Sequence, residues 1–158
     1  MERVDTNSDL KLRRAAATDA DALADVFLRA RRAAVPAIPP NVHTDDEVHQ
    51  WMRDVVVARR EAWVAERLGV LVAMLVLDGD DLDQLYVDPE FTGRGIGSTL
   101  VLFAQSRRPE GLSLWAFQSN HGARRFYERH GFVAAEYTDG AGNEERAPDV
   151  RYVWGGHD

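Results

Sequence analysis

The sequence predicts an α/β domain built on one mixed sheet with helices on both faces. Three observations carry that prediction. The hydrophobic period switches repeatedly between helical and strand spacing, in the order βααβββαβαββ. The run Leu71 to Leu77 is almost wholly apolar, as in a strand covered on both faces. Turn residues such as Asp78-Gly79-Asp80 separate consecutive strand patterns, as in hairpins.

The elements follow in order. Leu10 to Arg14 alternates apolar and basic residues, a first strand. Thr18 is the expected cap of a helix from about Asp19 to Ala34, with Ala22, Leu23, Val26, Phe27 and Ala30 inward. The proline-rich stretch Val35 to Asn41 cannot continue it. Thr44 with Glu47 three residues later forms a capping box, which opens a second helix to about Arg60. Strands are expected over Glu61–Glu66, Val70–Leu77 and Asp81–Val87. A helix then runs to about Arg108 and is broken by Pro109-Glu110-Gly111. Leu112–Phe117 is a strand, and Asn120–His130 a short helix stopped by Gly131. Phe132–Tyr137 and Val150–Trp154 close the sheet, with a polar loop at Thr138–Ala147 between them.

Length and composition narrow the class. The 158 residues suit a single domain over 1–158, with Met1–Asp9 as a flexible terminus. No apolar run reaches ~20 residues, and the polar start MERVDTNSDLKLRR lacks a signal peptide's apolar stretch. A cytoplasmic protein without membrane contact is expected. A net charge of -7 argues against a nucleic-acid partner. The absence of cysteine removes disulfides, thiolate metal sites and a cysteine nucleophile. The histidines show no metal-ligand spacing, and no metal is expected. A homodimer is compatible with the sequence.

The stretch Leu85 to Ser98, LYVDPEFTGRGIGS, joins a strand to a helix through three alternating glycines. A dinucleotide fingerprint needs glycine where Ser98 stands, and a phosphate-binding lysine loop needs a lysine that is absent here. A pyrophosphate cradle fits. A helix start supplies several backbone N–H donors and the positive end of its dipole. Gly93, Gly95 and Gly97 lack a Cβ that would block close approach, and Arg94 adds charge. A tight strand-to-helix turn without a ligand is the competing reading.

Further along, a strand precedes Asn120, Ala123, Phe126-Tyr127 and Gly131-Phe132. Together with Val87, Pro89, Gly95 and Gly97, this pattern resembles the GNAT superfamily of N-acetyltransferases. Its first motif is a V-x-P turn followed by Q/R-x-x-G-x-G/A, and its second an Asn, then A-x-x-F-Y, then G-F. The likeness covers Leu71 to Tyr137 and departs in one place, where Thr92 holds the usual Gln or Arg position.

The resemblance implies a mostly antiparallel sheet whose central strands, Asp81–Val87 and Leu112–Phe117, splay apart. It implies acetyl-CoA as acyl donor and an amine of a small molecule or protein as acceptor, joined by direct attack. The implied cofactor residues are Leu85, Tyr86, Val87, Thr92, Gly93, Arg94, Gly95, Ile96, Gly97, Ser98, Asn120 and Tyr127. Backbone groups of Leu85 and Val87 would pair with the pantetheine arm as in strand addition. The Val87 N–H is the candidate oxyanion donor, and Tyr127 the candidate acid toward sulfur, or else a core tyrosine. Asn120 holds the arm, caps its helix, or both.

Alternation puts Asp81, Asp83, Leu85 and Val87 on one strand face, which makes Asp83 the candidate base and acceptor contact. His43, after the proline-rich connection, is the other acceptor-side candidate. Trp51, Trp115 and Phe117 read mainly as core. The alternative function is a non-catalytic acyl-CoA sensor.

Overall fold

A computed structural model describes residues 9–155 of the chain. The expected flexible terminus, except for Asp9, lies outside the described residues. The strands are β1 Leu10–Arg14, β2 Glu61–Arg67, β3 Val70–Asp78, β4 Asp81–Val87, β5 Leu112–Phe117, β6 Val133–Thr138 and β7 Asp149–Trp154. The helices are α1 Ala20–Ala34, α2 Asp45–Trp51, α3 Ile96–Arg107 and α4 His121–Arg129. A wider π-type coil, Met52–Val57, continues α2 towards β2.

The strands form one seven-stranded sheet in the order β1-β2-β3-β4-β5-β7-β6. Every neighbouring pair is antiparallel except β4 and β5. Those two run parallel and pair only at Asp81 and Ser113. There the Ser113 amide donates to the Asp80 carbonyl at 3.0 Å, and its hydroxyl to Asp81 Oδ1 at 2.6 Å. Beyond that point the strands part, as the resemblance implied.

Two cores flank the sheet. One lies under α3 and α4 and contains Leu75, Leu77, Leu82, Leu100, Leu114, Phe132 and Tyr152. The other lies under α1 and α2 and contains Leu23, Phe27, Met52, Val64, Met74 and Val76. Val72 to Leu77 are wholly buried between them, which is why their sequence shows no alternation.

Four local expectations change. Thr18 is exposed and does not cap α1. One 3-10 turn, Ala17–Asp19, comes first, and the Asp19 carboxylate accepts from the Ala16 amide at 2.7 Å while pairing with Arg13 at 2.7 Å. Ala22 is exposed, and the inward stripe of α1 runs instead through Leu23, Ala24, Phe27, Leu28 and Arg31. Trp115 is about half exposed rather than core, on a side of β5 that opens onto a hollow.

The fourth change concerns β4. Leu77 pairs with Leu82 but Val76 with Gln84, so Asp83 is an extra residue, a β-bulge. The bulge breaks the alternation. Leu82, Leu85 and Val87 all join the core under α3 and α4. Asp83 turns instead to Arg60, which stacks on Trp51 on the α1/α2 side. Asp83 therefore does not share a face with Leu85 and Val87.

Candidate active site

The parted strands leave a cleft of about 290 Å³, lined by Leu85, Val87, Thr92, Leu114, Ala116, Asn120, Ala123 and Tyr127. The Asp88 amide donates to the Val72 carbonyl at 2.8 Å. An antiparallel ladder alternates, so Tyr86 also spends its backbone groups on β3. Leu85 and Val87, at the intervening positions, turn their N–H and C=O groups towards the gap left by β5. An open strand edge thus faces the cleft, free for an extended ligand.

The glycine joint closes one end of that edge. Gly93 and Gly95 sit at φ +78° and +79°, which only glycine adopts without strain. The backbone amides of residues 93 to 98 donate to no protein group among the described residues; the first helical bond runs from Thr99 to the Gly95 carbonyl at 3.1 Å. No acidic side chain lies in the first turn of α3. Arg94 is exposed over Phe91, 5.3 Å from the ring centre. The amide row and the dipole together suit a diphosphate.

Some joint residues do other work. A Cβ on Gly97 would lie 3.3 Å from Phe126, so this glycine lets α4 approach α3. Ile96 is buried, leaving only its amide for a ligand. The Thr92 hydroxyl donates to the Pro89 carbonyl at 3.1 Å and so pins the turn. Ser98 Oγ lies 3.1 Å from Nε2 of His130, whose pKa burial and, less so, Arg129 lower.

Asn120 caps α4, its side chain accepting from the Ala123 amide at 3.3 Å, and also lines the cleft. The capping reading of this residue is thus met. Tyr127 is wedged between Phe126 and Phe132, with ring centres 5.1 and 5.6 Å away. Burial, helped by Tyr86, pushes its phenol above the usual range, so it keeps its proton at neutral pH.

Tyr86 lines the cleft between Leu85 and Val87, but its side chain turns away from them. Its ring packs on Phe27 at 5.1 Å, and its hydroxyl accepts from Arg31 at 3.3 Å, on the other face of the sheet. That face holds two connected hollows of about 560 and 540 Å³. Arg31, Gln84 and Glu145 line both. Asp83 and Trp115 line the first, and His43 and Trp51 the second.

Asp83 also lines the cleft. Burial raises its carboxyl above the ordinary range, against the pull of Arg60 at 2.6 Å. His43 Nε2 lies 2.5 Å from Glu144, and Arg31 Nη2 3.4 Å from Glu145. The loop between β6 and β7 is thereby tied across the hollows to α1 and to the connection after it. Arg31, Glu144 and Glu145 went unread in the sequence. One signal was there: an arginine on the inward stripe of α1.

Among the described residues no group of three His, Asp or Glu side chains is placed to hold a metal ion. No helix among them is long and apolar enough to cross a membrane.

The split sheet with its open edge is the fold of solved acetyltransferases. Apo-form YjaB from Escherichia coli superposes with a TM-score of 0.75 at 23% identity, covering 92% of this chain and 97% of that one. YncA from Salmonella typhimurium, solved with acetyl-CoA, gives 0.68 at 18% identity, covering 96% of each chain. The family model described as an acetyltransferase (GNAT) domain matches residues 55–134. Peptidyl-lysine N-acetyltransferase YiaC of Escherichia coli K12 is 30% identical over 122 residues, 77% of this chain and 82% of that protein.

The fold and the cleft thus define an acyltransferase. The chain belongs to the GNAT family and is an acetyl-CoA-dependent N-acetyltransferase by class. The comparisons do not favour the non-catalytic sensor.

Proposed function

We propose that the chain transfers the acetyl group of acetyl-CoA directly to a primary amine, and that the amine is a lysine side chain of a protein. The open edge of β4 beside the row of unpartnered amides carries the proposal. The name of YiaC supports the lysine acceptor. In this reading the amides of Gly93 to Ser98 hold the diphosphate, assisted by Arg94. The pantetheine arm lies along β4, pairing with Leu85 and Val87, and Asn120 flanks it. The thioester then sits where the acceptor hollows meet the cleft.

The chemistry needs three things of these residues. The neutral amine attacks the thioester carbon, and the carbonyl oxygen gains charge, which the Val87 N–H stabilises. The C–S bond breaks as the tetrahedral adduct collapses, the Tyr127 hydroxyl gives its proton to the leaving sulfur, and the extra proton on the adduct nitrogen leaves to solvent, which reprotonates Tyr127. The attacking ammonium loses a proton first, to Asp83, whose raised pKa makes it a better base than an ordinary carboxylate. No covalent enzyme intermediate forms.

The test is calorimetric titration with acetyl-CoA, followed by thiol release with lysine-bearing peptides. Binding in the micromolar range and acceptor-dependent release are expected. Absence of acetyl-CoA binding overturns the assignment at its root, and binding without acceptor-dependent release returns the sensor reading.

A further inference from the structure

We infer that Arg31 anchors the acceptor by a carboxylate that the acceptor carries near its amine. In a protein acceptor this is an Asp or Glu side chain beside the modified lysine. The inference rests on the acetyltransferase reading and adds the chemistry of the acceptor to it.

Arg31 is an unusual cation for this molecule. It projects from the buried stripe of α1 and is only 9% exposed. It lines the acetyl cleft and both hollows, so it stands where donor and acceptor sites join. Its hydrogen bonds are long: 3.3 Å to the Tyr86 hydroxyl and 3.4 Å to Glu145 Oε2. Its Nε is buried without a partner among the described residues.

Arg13 shows what a satisfied guanidinium looks like in the same chain. It grips Asp19 through two bonds of 2.7 and 2.9 Å and adds Glu66 at 3.1 Å. A buried cation without a close counter-charge is costly, and a planar guanidinium matches a carboxylate best. The face of Phe27, 5.6 Å away, steadies the group without supplying charge.

Glu145 shows that a carboxylate can reach the site. It comes from the loop between β6 and β7, and its distance marks a loose hold. An acceptor carboxylate that closes to bidentate contact outcompetes it. Trp115, half exposed on the same hollow, offers an apolar wall for the rest of the acceptor.

The test uses pairs of amines matched except for the carboxylate, with thiol release as readout. One arm compares lysine peptides with Glu or Gln beside the lysine. The other compares free L-lysine with 1,5-diaminopentane, and so separates a protein acceptor from a small one. In at least one arm the carboxylate-bearing member should have a tenfold higher kcat/KM, about 1.4 kcal/mol. Arg31→Gln should abolish that preference while acetyl-CoA affinity, measured by calorimetry, stays within threefold. Arg31→Lys, which keeps the charge but not the fork, should leave a reduced preference. Glu145→Gln, which removes the internal competitor, should lower KM for carboxylate-bearing acceptors about threefold.

Equal use of both members in both arms by the unaltered protein overturns the inference, whatever the variants do. So does a preference that survives in Arg31→Gln. Failure to bind acetyl-CoA is a different result and overturns the underlying assignment instead.

Discussion

On the proposed reading, the donor and acceptor sides of the cleft are built from different material. The donor side is main chain: the amides of residues 93 to 98 and the open edge at Leu85 and Val87. The acceptor side is side chains: Arg31 from α1, His43 from the connection after it, Asp83 from a bulge, and Glu144 and Glu145 from a loop about a hundred residues on. A main-chain site binds whatever has the right shape and charge, so it serves a fixed donor. A side-chain site changes with one substitution, so it serves an acceptor that differs from enzyme to enzyme.

Tyr127→Phe tests the one donor-side step that asks for a side chain, and it has the largest expected effect. Removing the hydroxyl leaves the packing on Phe126 and Phe132 intact. It takes away a proton donor whose raised pKa keeps it loaded at neutral pH. Turnover should fall about a hundredfold, within the range for a lost general acid. Acetyl-CoA affinity should change less than threefold, since the main chain supplies the grip. Unchanged turnover assigns Tyr127 to packing alone.

The same division explains what the sequence could tell. A backbone at positive φ calls for glycine, so Gly93 and Gly95 leave a readable spacing. The element order along the chain followed from hydrophobic period and turn residues, and the parting of β4 from β5 from the resemblance. The acceptor side left no such trace, because its residues meet only after the loop between β6 and β7 crosses to α1. Asp83 was placed on the wrong face because alternation assumes a regular strand, and a bulge cannot be seen in period alone. The missing Cβ of Gly97 was read as room for the ligand, and it also clears space for Phe126, since both uses ask for a missing Cβ.

Gly95→Val and Thr92→Ala sharpen the comparison within the joint itself. Valine at φ +79° carries strain of roughly 1–3 kcal/mol, which the loop relieves by turning its amides out of line. Acetyl-CoA affinity should weaken about thirtyfold by calorimetry. Thr92→Ala removes a hydroxyl that, among the described residues, bonds only the Pro89 carbonyl, in the position where the family usually has Gln or Arg. Its effect on affinity should stay below threefold. A larger loss with Thr92→Ala than with Gly95→Val means that side chains, not amides, hold the diphosphate.

The smallest effect concerns the frame of the acceptor side, and it depends on pH. His49 of α2 sits between Asp21 and Asp25 of α1, with nitrogens 2.8 and 3.3 Å from their carboxylates. The hydrogen bond to Asp21, the largest influence, raises its pKa; burial opposes it, and the charges of Asp25, Asp21 and Asp46 add to the rise. A raised folded-state pKa means that the protonated imidazole stabilises the fold. That contribution is complete below the unfolded value of about 6.5 and is lost as pH rises through the folded one. The carboxylates are largely exposed, so screening limits it to a few tenths of a kcal/mol, at most about 1. His49→Gln should therefore lower stability in urea titrations at pH 6, match the unaltered protein at pH 9, and show a smaller difference in high salt. Because α1 and α2 wall the hollow that His43 and Trp51 line, the same substitution should raise the acceptor KM at pH 6 and leave acetyl-CoA affinity unchanged. An equal loss on both sides would mean that the two halves of the cleft share one frame.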